Sequence, residues 1–149
     1  LGTLRKAEYN PGLEGNWNFT ISLPDTDPSE VIRTDAEIAG TDFTIKKVEL
    51  SPVSIRLDYG VTGDTAAANE PADMHGFETD SIPRFSGVIL KDGTRIPYLA
   101  DAGLTGFGDD MQKEAYFLSG FDRVIDVDQV ASLLIMSPST GELIEVPLS

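Results

Sequence analysis

The stretch from Phe43 to Val61, FTIKKVELSPVSIRLDYGV, carries the longest strand-like alternation in the chain. Apolar and polar residues alternate along it, as a half-buried strand requires. The phase changes twice. Phe43 and Ile45 share one parity, Val48 and Leu50 the other, and Val53, Ile55, Leu57 and Tyr59 return to the first. A slip of one residue throws every later side chain to the opposite face. A single buried face therefore needs an extra residue at Lys46-Lys47, read as a β-bulge, and another at Ser51-Pro52. A tight hairpin at the second position is disfavoured. Two-residue hairpin turns want positive φ, and Pro is locked near about −65°. The preferred reading is a bend, where one long strand twists and crosses between sheets.

The flanking segments read as strands that pack on this one. In GNWNFTISL, Trp17, Phe19, Ile21 and Leu23 fall on one face, and Pro24 ends the run. PDTDPSE is a loop, and Val31 to Ala39 is a strand or an extended connection. Phe85 to Leu99 contains the hairpin signal Lys91-Asp92-Gly93-Thr94. A two-residue Asp-Gly loop would pair Ile89 with Ile96. A three-residue loop with Gly93 left-handed would pair Val88 with Ile96 and Leu90 with Thr94. The second is preferred, because it puts Val88, Leu90, Ile96 and Tyr98 on one face. Ala115 to Phe121 is a strand. Asp126-Val127-Asp128-Gln129 looks like a short helix start, with Asp126 as cap and Ile125 and Val130 as a hydrophobic staple. Strands at Ser132 to Met136 and Glu142 to Leu148 follow, joined by a turn at Ser137 to Gly141.

Two segments lack such patterning. Thr62 to Pro83 and Ala100 to Glu114 read as long loops, the second rich in Gly and Asp. Short strands, turn signals and almost no helix indicate an all-β fold, an immunoglobulin-like β-sandwich with two long loops and one short helical turn. The 149 residues suit a single domain over 1–149, with 1–13 an irregular leader. The expected core is one cluster between two sheets, formed by Trp17, Phe19, Ile21, Ile45, Leu50, Ile55 and Leu57.

The 25 acidic and 11 basic residues give a formal charge of −14. That field repels phosphate backbones and anionic lipid, which sets nucleic acid and membrane-surface binding aside. It favours basic or cation-bridged partners. With no cysteine, disulfide and thiolate chemistry are excluded. No apolar run approaches the length of a membrane span, about 18 residues, and no signal peptide is visible. Because the chain begins at Leu1 rather than Met, it reads as an excised piece with any membrane anchor upstream.

Taken in order, GNWNFTISL, KKVELSPVSIRLDY, KDGTRI, FDRVIDVDQVASLLI and the terminal EVPLS resemble the extracytoplasmic immunoglobulin-like domains of DUF4179- and DUF5643-type Gram-positive membrane proteins. Some of those resemble anti-sigma factors or their sensor regions. The resemblance leaves the two long loops out, and it implies no catalytic residues. It implies a membrane-anchored, extracytoplasmic setting.

No residue set amounts to a catalytic, cofactor or metal site. His75, the sole histidine, would have to be the base of any Ser-His-Asp triad, and within MHGF it reads as a solvated loop residue. The acidic pairs Asp25 and Asp27, Asp109 and Asp110, and Asp126 and Asp128 are the candidate calcium ligands. No Asp-x-Asp-x-Asp-Gly run accompanies them, and loop solvation and capping explain the same residues. Trp17 as a sugar-stacking platform competes with Trp17 as core, which its phase favours. Phe77 and Phe107 are the exposed aromatic candidates, and Asn18-Phe19-Thr20 matches a glycosylation sequon. The expectation is a non-enzymatic interaction, spacer or sensor domain of a cell-envelope protein, without cofactor and with a protein partner that contacts the two long loops. A carbohydrate-binding module, calcium-assisted or not, is the alternative.

Overall fold

The computed structural model describes residues 20, 28–62, 81–110 and 113–148. Over these residues the chain forms β1 (Glu30–Glu37), β2 (Phe43–Leu50), β3 (Ser54–Val61), β4 (Arg84–Leu90), β5 (Arg95–Ile96), β6 (Ala100–Phe107), β7 (Glu114–Phe121), β8 (Val130–Met136) and β9 (Leu143–Pro147). Every pairing is antiparallel. One sheet has the order β1-β2-β3-β7-β6 and the other β5-β4-β8-β9. The result is an all-β sandwich. The strand expected at Gly15 to Leu23, and with it Trp17, Phe19 and Ile21, lies outside the described residues except for Thr20, as does most of the Thr62 to Pro83 segment.

Inward-facing residues of both sheets form one buried cluster. Ile45, Val48, Leu50, Ile55, Leu57 and Phe117 enter it from the larger sheet, and Phe85, Val88, Leu133, Ile135 and Val146 from the smaller. Ile45, Leu50, Ile55 and Leu57, expected in the core, are all buried there. β8 is covered on both sides, since Leu134, at the opposite parity to Leu133 and Ile135, has no exposed surface. Its near-continuous apolar sequence is the pattern of such a strand.

The bulge expected at Lys46-Lys47 is present. Ile45 faces Tyr59 and Lys47 faces Asp58, so Lys46 is the extra residue. The second phase change has a different origin from the bend expected at Ser51-Pro52. β2 and β3 form a hairpin, with Leu50 opposite Ile55. Its connection is a four-residue turn, Ser51 to Ser54, rather than a two-residue one. No residue in it has positive φ. Pro52 therefore occupies the second turn position, where a φ near −65° is preset. Ser51 N donates to Ser54 O across 2.9 Å, and Val53 N donates to Ser51 Oγ across 3.2 Å.

The β4–β5 hairpin has the three-residue loop. Gly93 has φ +88°, Leu90 N donates to Thr94 O across 2.9 Å, and Val88 faces Ile96. Tyr98 departs from expectation, because it is 71% exposed. Pro97 ends β5 after two residues, and the chain then turns so that Leu99 N donates to Ser86 O and Leu99 takes the buried position. The turn before β8 is a 3₁₀ turn, Val127–Gln129, capped by Asp126, whose carboxylate accepts from Asp128 N across 3.1 Å. Ile125 and Val130 are buried on either side of it.

The segment Ala100 to Glu114, expected as a loop, is mostly strand. β6 spans Ala100–Phe107 and pairs with β7 from Gly103 to Phe107. Gly103 and Gly106 have no side chains to show a period, yet they are what lets the strand pair closely. A Cβ at Gly103 would stand 2.5 Å from the Phe117 ring, and one at Gly106 would stand 2.6 Å from the Tyr116 ring. The rings of β7 lie over the glycine backbone of β6 and replace the missing side-chain packing.

Candidate functional site

The solvent face of the larger sheet is the one place where the described residues gather exposed apolar, aromatic and charged side chains in register. The strand period turns alternate residues outward, and the register aligns them in two rows. One row runs Arg33, Lys47, Asp58, Tyr116, Gly106. The other runs Val31, Glu49, Arg56, Leu118, Leu104. The residues between them in sequence, Ile32, Val48, Leu57 and Phe117, face the core.

Charges cross the strands. Lys47 Nζ lies 2.9 Å from Glu49 Oε1 and 3.1 Å from Asp58 Oδ2. Arg56 Nε donates to Asp58 Oδ1 across 3.0 Å, and its guanidinium sits 5.2 Å from the centroid of the Tyr116 ring, within cation–π range. Asp58 thus joins Lys47 to Arg56, and Arg56 joins Asp58 to the aromatic face. The bonds that Lys47 donates to Glu49 and then to Asp58 hold its ammonium above the usual lysine range, so it stays charged. Lys46, set out of line by the bulge, lies across Gly60 and donates to Asp35 across 2.5 Å.

The Lys46 end of this face is a concavity of about 780 Å³. Arg33, Lys46, Lys47, Arg56 and Lys113 line it, against the carboxylates of Asp58, Asp109 and Glu114. Its local field is therefore opposite in sign to that of the whole chain. The carboxylates just outside, Asp35, Glu49 and Asp110, bring the wider face close to balance. The other row is apolar at one end and in its outer positions. Val31, Leu118 and Leu104 are 56%, 41% and 59% exposed.

Of the residues singled out in the sequence, Phe107 and Asp109 line this concavity, and Asp110, Asp126 and Asp128 do not. Asp109 and Asp110 follow β6 in the bend before β7, with Asp110 Oδ2 3.9 Å from Lys113 Nζ. Asp126 is used as a cap, and Asp128 supplies the backbone N–H that it accepts. Among the described residues, no three His, Asp or Glu side chains converge as metal ligands would. Phe107 is half-buried in β6 and packs on the core, rather than standing exposed in a loop. His75, Asp25, Asp27, Trp17, Phe77 and Asn18 lie outside the described residues.

Comparison with protein-family models, with curated proteins and with solved structures finds no match in any of the three. The face itself must carry the functional reading. Sequence reasoning passed over it, because the polar half of an alternating strand looks like plain solvation until the register pairs its members. The available signal was Lys47, Glu49, Arg56 and Asp58, four charges of mixed sign at the outward parity of the central stretch.

Proposed function

We propose that this chain is a non-enzymatic interaction domain of a cell-envelope protein, an immunoglobulin-like sandwich that meets a protein partner through the outer face of its larger sheet. The observation that carries the reading is the exposed apolar pair Leu118 and Leu104, with Val31 at the far end of their row beyond Glu49 and Arg56, lying beside the row Lys47, Asp58 and Tyr116. Buried apolar anchors with a polar, charged surround are the anatomy of a protein contact. The charged groups are already bonded to one another, which fixes their positions before a partner arrives and lowers the cost of ordering them. Lys47, held protonated by two carboxylates, is suited to recognition rather than to proton transfer. The resemblance carried by KKVELSPVSIRLDY, KDGTRI and FDRVIDVDQVASLLI supports the extracytoplasmic, membrane-anchored setting.

The test uses the intact protein that contains this chain. Leu118→Asp and Arg56→Glu change exposed side chains and are expected to leave the melting temperature within a few degrees, as surface changes do. They are expected to abolish partner capture or signalling. A second reading, a carbohydrate-binding module, is favoured by one feature. Tyr116 and the Arg56 guanidinium sit over the concavity, where a sugar ring with an anionic substituent would find a stacking surface and cations. A glycan panel with and without calcium separates the two. Glycan binding lost on Tyr116→Ala would replace the protein-partner reading.

A further inference from the structure

Among the described residues the two sheets end in four edge strands, β1 and β6 in the larger and β5 and β9 in the smaller. An edge strand presents unpaired backbone groups, and proteins guard such edges with charge, proline, bulges or shortness. β1 carries Glu30, Arg33, Asp35 and Glu37 and breaks register between Arg33 and Ala36. β5 is two residues long and is stopped by Pro97. β9 carries Glu145 and ends in Pro147. β6 differs. Its first residues are bulged between Ala100 and Gly103, with Asp101 the only charge. From Gly103 to Phe107 it has no charge, no proline and no register break.

The pairing shows which of its backbone groups are turned outward. Gly108 N donates to Glu114 O, so position 108 bonds with β7. Antiparallel ladders alternate bonded and non-bonded pairs, so Leu104 and Gly106 also bond to β7. Gly103 and Thr105 direct their N–H and C=O groups away from the sheet. The neighbouring ladder agrees, since Val61 N donates to Lys113 O and the odd-numbered residues of β7 bond to β3. Leu104, 59% exposed, stands between those two outward residues. Asp101 and Asp109, both exposed, flank this neutral stretch at its two ends.

We propose that the edge of β6 at Gly103 and Thr105, open among the described residues, is a strand-addition site for an extended segment of another protein, apolar or small in its centre and basic near both ends. The added strand bonds to Gly103 and Thr105, covers Leu104 and places its basic residues against Asp101 and Asp109. A second copy of the chain fits less well. Two-fold antiparallel pairing about Thr105 sets Asp101 of one copy opposite Asp109 of the other, and each copy carries a formal charge of −14. The site shares Leu104 with the outer face proposed above, but its tests change Thr105, Asp101 and Asp109 and leave Arg56, Leu118 and Tyr116 of that face intact.

The probe is a synthetic peptide of about eight residues, alternating valine and threonine with lysine at each end, a usual strand length. It is titrated into the full chain and followed by the amide resonances of Gly103 and Thr105 and by fluorescence polarisation. The expected result is saturable binding that moves those two resonances. Binding should be weakened at least about tenfold by N-methylation of alternate peptide residues, which removes the ladder and keeps the charges. Thr105→Pro, which removes an outward N–H that the β6–β7 ladder does not use, should weaken it similarly. Asp101→Asn with Asp109→Asn should weaken it severalfold and flatten its salt dependence. Equal binding of the N-methylated peptide, resonance changes confined to other strands, no binding at millimolar peptide, or dimerisation of the chain through β6 would each overturn the proposal.

Discussion

Tyr59 packs its ring edge-on to Phe43, with centroids 5.8 Å apart, and its hydroxyl donates to the Pro83 carbonyl across 2.8 Å inside the core. Pro83 immediately precedes β4, so this one bond ties the larger sheet to the entry of the smaller. Tyr59→Phe keeps the packing but leaves a buried carbonyl without its donor, and should cost about 1–3 kcal/mol in denaturant unfolding. Burial also pushes the Tyr59 phenol above its ordinary value. A raised acid keeps its proton in the folded state while the unfolded chain loses it, so stability is full below pH of about 10 and falls above it. Tyr59→Phe should remove that part of the alkaline loss, which pH-dependent melting will show. Leu57 has no exposed surface and faces Val48 and Phe117 on neighbouring strands. Leu57→Ala should cost about 2–5 kcal/mol, the range for a cavity that closes only in part. A midpoint within experimental error of the parent would contradict its place in the core.

The elements were legible in the sequence wherever side chains of alternating character could show a period. β2, β3, β4, β7 and β9 carry such side chains, and the phase slip located the bulge to the pair Lys46-Lys47, of which the register makes Lys46 the extra residue. The cap at Asp126 was readable because capping needs a particular residue at a particular spacing. Asp126→Ala should lower the unfolding midpoint by about 1 kcal/mol in free energy, with the denaturant slope unchanged. β6 was not legible. An edge strand is stabilised from one side only, and here the rings of Phe117 and Tyr116 supply over Gly103 and Gly106 what its own residues lack. The turn at Ser51 was misread because proline excludes the two-residue hairpin but suits the longer turn that the serines close. The outer face was invisible for a different reason, since a row of residues across strands exists only once the register is known.

For the molecule as a whole, the net charge and the local charge pull in different directions. At −14 the folded chain repels itself, so raising salt from low ionic strength should raise the melting temperature. The Lys47–Asp58–Arg56 cluster contributes little to that balance. Its side chains are 26%, 28% and 42% exposed, and partly exposed pairs are worth about 0–1 kcal/mol. Asp58→Asn should therefore leave stability within about that range while disturbing the position of Arg56 over Tyr116, and partner binding is the readout that should move. Both proposed surfaces belong to the five-stranded sheet, one on its face and one at its β6 edge, and both depend on β6 being a strand rather than a loop. Amide hydrogen exchange along β6 in the free chain tests this directly. Leu104 and Gly106, bonded to β7, should exchange slowly, and Gly103 and Thr105, turned to solvent, should exchange fast. Uniformly fast exchange from Gly103 to Phe107 would mean that the strand does not form, and uniformly slow exchange would mean that its edge is already covered.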